Sequence, residues 1–135
     1  MTEPKSTRIF LPFPPSTNGL FSGKERRFNS NAYKEWLKDA KVEFDAQMEY
    51  DKYYAGFANI THAGQVTLTF LLKAPDNRRR DLSNTIKAAE DFLVTQKVIL
   101  DDDNRYVREI FIKWKDDMPQ AGIFIVVTDW EDCGS

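Results

Sequence analysis

The chain reads as one mixed α/β (α+β) domain, a mixed β-sheet with two main helices packed on it, in the order β-α-β-α-β-β. Three observations carry this expectation. Apolar residues recur at helical spacing from Tyr33 to Met48, an apolar/Thr alternation covers Gln65 to Lys73, and a nearly unbroken apolar run covers Ile123 to Val127. The 135 residues, 41% of them apolar, suffice for one core and are too few for two. The domain is therefore expected to span 1–135, with its core at about 8–128 and flexible tails at 1–7 and 129–135.

Arg8 to Phe13 forms a short apolar strand that Pro12, Pro14 and Pro15 stop. Ser16-Thr17-Asn18-Gly19 is turn chemistry, and Gly23 to Arg27 is a basic loop flanked by Phe21 and Phe28. The first helix runs from Asn31 to about Tyr50, capped by Ser30 or Asn31, with Tyr33, Trp36, Leu37, Ala40, Phe44 and Met48 on its buried face. Asp51 to Gly64 has no period and is expected to be a loop, with His62 at the surface. After the strand Gln65–Lys73, Asp81 or Ser83 opens a second helix that buries Leu82, Ile86, Ala89, Phe92 and Leu93. Asp101 to Asn104 is a turn. Arg105 to Lys115 is a strand with Tyr106, Ile110, Ile112 and Trp114 on one face, and Gly122 to Thr128 is central in the sheet because it is apolar on both faces.

Composition excludes several classes. No apolar run approaches the roughly 20 residues of a membrane span, and the N-terminus lacks the apolar stretch of a signal peptide. A single cysteine, Cys133, rules out a disulfide framework. The expected location is cytoplasmic. The net charge of -2 is not that of a polycation, but its distribution is uneven. Bases gather at Lys24, Arg26 and Arg27, at Arg78 to Arg80 and at Arg105 to Lys115, whereas Glu43, Asp45, Glu49 and Asp51 lie elsewhere.

The chemistry concentrates between Arg78 and Asp103. Arg78-Arg79-Arg80 runs into Asp81, Asn84 and Lys87 follow at intervals of three, and Asp101-Asp102-Asp103 comes next. Guanidinium forks match phosphate oxygens, and carboxylates collect hard divalent cations. With no His or Cys nearby, the cation would be Mg²⁺, or Mn²⁺. Each part also has a plain reading: Asp81 as a helix cap, Lys87–Asp91 as a solvated pair, the arginines as a solvated loop. Their order is what joins phosphate-seeking to metal-seeking groups.

Arg79-Arg80-Asp81-Leu82-x-Asn84-x-x-Lys87-Ala88-x-x-Asp91-x-Leu93, followed by Asp101-Asp102, resembles the signature of the RusA family of crossover junction endodeoxyribonucleases, the Holliday junction resolvases. Leu11 to Asn18 is similar to that family's opening strand and turn. The resemblance implies a small homodimer that binds four-way DNA junctions and nicks two opposed strands with Mg²⁺, in DNA recombination and repair. It assigns Asp81 and Asp102 as metal aspartates and Lys87 as the catalytic lysine. This chain carries Ser83 where the family has its second metal aspartate, so Ser83 and Asp101 join the candidate ligands, and Asp103 or Glu90 could supply the missing carboxylate. Arg78, Arg79, Arg80, Lys24, Arg26, Arg27 and Asn84 are the candidate DNA contacts. Two other classes fit the same residues: a catalytically impaired junction-binding protein, motivated by Ser83, and a small metal-dependent nucleotide phosphohydrolase.

Overall fold

The computed structural model describes residues 6–16, 21–22, 28–55 and 61–130. Six strands and two helices follow one another: β1 (Ser6–Leu11), β2 (Phe21–Ser22), β3 (Phe28–Asn29), α1 (Asn31–Ala55), β4 (Val66–Lys73), α2 (Lys87–Thr95), β5 (Val107–Trp114) and β6 (Gly122–Asp129). The main sheet has four strands in the order β1-β6-β4-β5. β6 is antiparallel to both β1 and β4, and β4 is parallel to β5. The last strand in sequence is thus internal, as its apolar run requires. β2 and β3 pair as a small separate ribbon, Phe21 opposite Asn29 and Ser22 opposite Phe28, at positions where the sequence pattern predicts no strand. The turn expected at 17–19 and the loop expected at 23–27 lie outside the described residues. Lys24, Arg26 and Arg27 lie outside the described residues.

Alternation decides which face of the sheet is covered. Ile9 and Leu11, Val66 to Leu72 at every second residue, and Ile123, Ile125 and Val127 are fully buried. They stand in register, with Ile125 opposite both Ile9 and Phe70. The helices cover this face. Ser30 Oγ accepts the N–H of Tyr33 at 3.1 Å, which satisfies one of the orphan donors of α1's first turn. Tyr33, Trp36, Ala40 and Phe44 are buried at the expected spacing. Phe92 of α2 meets Trp36 at 5.7 Å and Phe44 at 5.5 Å, both edge to face. Burying such a ring contributes about 2–3 kcal/mol. Gln47 reaches the free edge of β1, accepting from the N–H of Phe10 and donating to its carbonyl.

Three expectations need correction. α1 continues to Ala55, so residues 51–55 are helical rather than loop. The second helix does not start at Asp81 or Ser83: Leu82–Thr85 is a 3-10 turn, and α2 begins only at Lys87. His62 is not a surface residue. It is 1% exposed, with Nε2 2.8 Å from Thr7 Oγ1 and Nδ1 2.7 Å from Asp129 Oδ1. A buried imidazole is tolerable only with both nitrogens partnered, and here it joins the start of β1 to the end of β6. Thr7 and Asp129 both lie in paired strands of the sheet.

Candidate active site

Parallel strands need a crossover connection, and the link from β4 to β5 carries every central-motif residue. Ligand-binding groups in such units collect beyond the carboxyl ends of the strands, which is where Asp81 lies, a few residues past Lys73. Asp81 occupies the cap position of the 3-10 turn in extended backbone geometry, yet its side chain makes no capping hydrogen bond. The carboxylate instead points to solvent, with Asn84 Nδ2 3.4 Å from Oδ2. The simple capping role is thereby removed, and an exposed pair of hard oxygens remains. The break between turn and helix also means that Asn84 does not share a helix face with Lys87. Asn84 serves Asp81, and Lys87 serves the acidic turn.

Lys87 Nζ lies 3.0 Å from Asp91 Oδ1 and 3.4 Å from Asp102 Oδ2. The hydrogen bond to Asp91, aided by the charges of both carboxylates, raises its pKa although partial burial opposes this. Lys87 is therefore an ammonium at any working pH. Glu90, half-buried one turn further, has its carboxyl pushed up to about 7 by burial first and by the charge of Asp102 second.

The three acidic residues of the turn differ in employment. Asp101 Oδ1 accepts the N–H of Asp102 at 2.8 Å, which orients the Asp102 backbone. Asp103 is gripped by Arg105, at 2.7 Å, and its carboxyl is held below the ordinary carboxylate range by that hydrogen bond. Asp103 closes its own turn, whereas Asp102 faces the lysine.

The three arginines differ too. Arg80 is 16% exposed, paired with Asp76 at 2.8 Å and stacked over Phe13 at 5.2 Å. Arg78 is 80% exposed and touches Asp76 at 3.1 Å, and Arg79 is exposed. Asp76, which sequence reasoning passed over, is the counter-ion that shapes this loop. Hydrogen bonds from Arg80 and then Arg78 hold its carboxyl far below the ordinary range.

Among the described residues, no three Asp, Glu, His or Cys side chains come together as a metal cage. That donor set still suits Mg²⁺, which takes one or two carboxylates and completes its shell with water and substrate phosphate. Asp81, exposed beside Asn84, and Asp102, facing Lys87, are carboxylates of that kind.

The β4-to-β5 crossover of this α+β fold thus carries exposed carboxylates, an ammonium and exposed arginines, groups whose chemistry suits a metal ion and a phosphodiester. The family model described as Endodeoxyribonuclease RusA matches residues 12–127, most of the chain, and the protein belongs to that family. No curated protein matches the chain. Membership in that family implies endodeoxyribonuclease activity. Among the described residues, no helix is long and apolar enough to cross a membrane.

Proposed function

We propose that this protein is a Mg²⁺-dependent endodeoxyribonuclease that resolves four-way DNA junctions by paired nicking as a homodimer. The observation that carries this reading is the contact between Lys87 and Asp102, which brings the two halves of the motif together in a chain of this family. Asp81 and Asp102 would hold the metal, with Ser83 and Asp101 as supplementary oxygens. Bound there, a divalent cation supplies a water of lowered pKa and polarises the scissile phosphate. Arg78 and Arg79 grip the phosphate backbone, which sets register without reading sequence. Asn84 orients Asp81. Lys87, kept charged by its two carboxylates, stabilises negative charge that develops on the phosphate or the leaving oxygen. A permanently protonated lysine is suited to that task and unsuited to act as a base.

The test is a nicking assay on a synthetic four-way junction with linear duplex as control. Symmetric nicks in the junction alone are expected with Mg²⁺, and Asp81→Asn should abolish them without weakening junction binding. Cleavage retained in that variant would remove Asp81 from the site. A shifted junction that is never nicked by the wild type would favour the binding protein motivated by Ser83. Dimerisation is supported by edge strand β5, which leaves Ile110 40% and Phe111 57% exposed. Phe111→Glu is expected to halve the sedimenting mass.

A further inference from the structure

The geometry points to a nucleobase subsite beside Asp81: a preformed cleft that takes one unpaired base of the DNA strand being cut. This rests on the reading above, because it names the part of a branched substrate that the site recognises. The cleft holds about 610 Å³, and its walls include Phe13, Pro14, Pro15, Trp36 and Pro75, with Asn84 also lining it. Arg78, Arg79 and Asp81 line it too. A strand whose phosphate rests on those arginines would therefore offer its base to an apolar slot.

The walls are fixed before any ligand arrives. Phe13 is stacked on Trp114, at 6.2 Å and 10° between planes, and carries the Arg80 guanidinium on its ring. Arg80 is in turn tied to Asp76. Trp36 Nε1 donates to the carbonyl of Pro12 at 2.9 Å, which ties the first helix to the proline segment. A rigid slot lined by ring and proline groups with arginines at hand suits a flat ligand bearing a phosphate, as a nucleotide does, and aromatic-lined basic grooves take bases without sequence preference. A base inside a duplex is stacked and paired and cannot enter. One at a crossover loses those partners at least cost, so the cleft would favour branched over linear DNA beyond what phosphate contacts achieve.

Photocrosslinking tests this on the full chain. Junctions carry 5-iodouracil at successive thymines from the crossover outwards and are bound in EDTA, so that no strand is cut. One label next to the crossover is expected to crosslink to Phe13 or Trp36, at least about tenfold more than labels in the paired arms. Ala32→Trp fills the cleft from the exposed start of α1; it should lower that yield at least about fivefold while the junction still shifts in a gel. A shifted junction whose labels all crosslink outside the cleft, or whose yield ignores Ala32→Trp, overturns the subsite and leaves the nuclease reading standing. If no junction shifts at all, the nuclease reading fails instead. A labelled single strand then decides the cleft, since crosslinks to Phe13 or Trp36 support it and their absence overturns it.

Discussion

Lys87 Nζ lies 3.4 Å from Asp102 Oδ2, a contact made across 15 positions of sequence. It exists because α2 starts only at Lys87, which puts this side chain at the helix's first residue, beside the acidic turn that leads to β5. The same ammonium is held by Asp91 from one turn along the helix. Two anchors fix its position, and that position matters if it must meet charge that appears only in the transition state. Lys87→Ala is therefore expected to lower single-turnover nicking by about 10²–10³-fold, the usual cost of losing one preorganised charge-stabilising group. Junction affinity should barely change. A large affinity loss with the nicking step intact would make Lys87 a phosphate grip instead.

Ser83 is exposed and sits two residues from Asp81. A neutral hydroxyl leaves any cation there with one formal negative charge fewer than a second carboxylate would provide. Ser83→Asp is expected to lower the Mg²⁺ and Mn²⁺ concentrations that half-saturate nicking. An unchanged metal requirement would mean that another group, Asp101 or Glu90, already fills the role.

Glu90 makes stability depend on pH in a direction opposite to that of a salt-bridged carboxylate. Folded, it keeps its proton to about pH 7, whereas its ordinary value is 4.5. Between those values the native state binds more protons than the unfolded chain, so this group's contribution to stability declines as pH rises through the window. Glu90→Gln removes the burdened charge. Urea unfolding in EDTA should show the variant more stable than wild type at pH 8 and equal to it at pH 4. The same gain at both values would trace the effect to packing rather than to ionisation.

What the sequence made legible followed from periodicity and from charge order. The face of α1 from Tyr33 to Phe44 is buried as its spacing requires, and β6 is internal as its two-sided apolarity requires. The acidic and basic elements of the motif also stood out, because unlike charges in that order are hard to explain as a solvated surface. The misses have physical causes. His62 looked like a loop residue because its partners, Thr7 and Asp129, are 55 and 67 positions away and only the closed sheet brings them together. The 3-10 turn at Leu82–Thr85 has the same apolar spacing as a helix over so short a stretch. The end of α2 carries no glycine to mark it. The differing roles of the three arginines depend on Asp76 and Phe13, which no local pattern links to them.

That unmarked helix end and the start of β6 give the last prediction, in which two positive-φ positions among the described residues respond oppositely. Lys97 has φ 61°, and the N–H of Val98 reaches the carbonyl of Leu93 while that of Lys97 reaches Val94. This is the Schellman arrangement that glycine usually serves, because a Cβ is disfavoured there. Lys97→Gly should therefore raise unfolding free energy, by up to about 1 kcal/mol, since its relief of strain exceeds the extra chain entropy of glycine. Gly122, with φ 154°, cannot be changed so freely: a Cβ there would stand 2.5 Å from Phe10 Cζ and 2.6 Å from the Leu11 carbonyl oxygen. The Phe10 ring could swing aside, but the carbonyl belongs to a strand that is hydrogen-bonded to β6 itself. Gly122→Ala should cost at least about 2 kcal/mol by overpacking at a rigid contact. Paired denaturant titrations of the two variants check both signs, and equal destabilisation would show that Lys97 is not strained in its left-handed conformation.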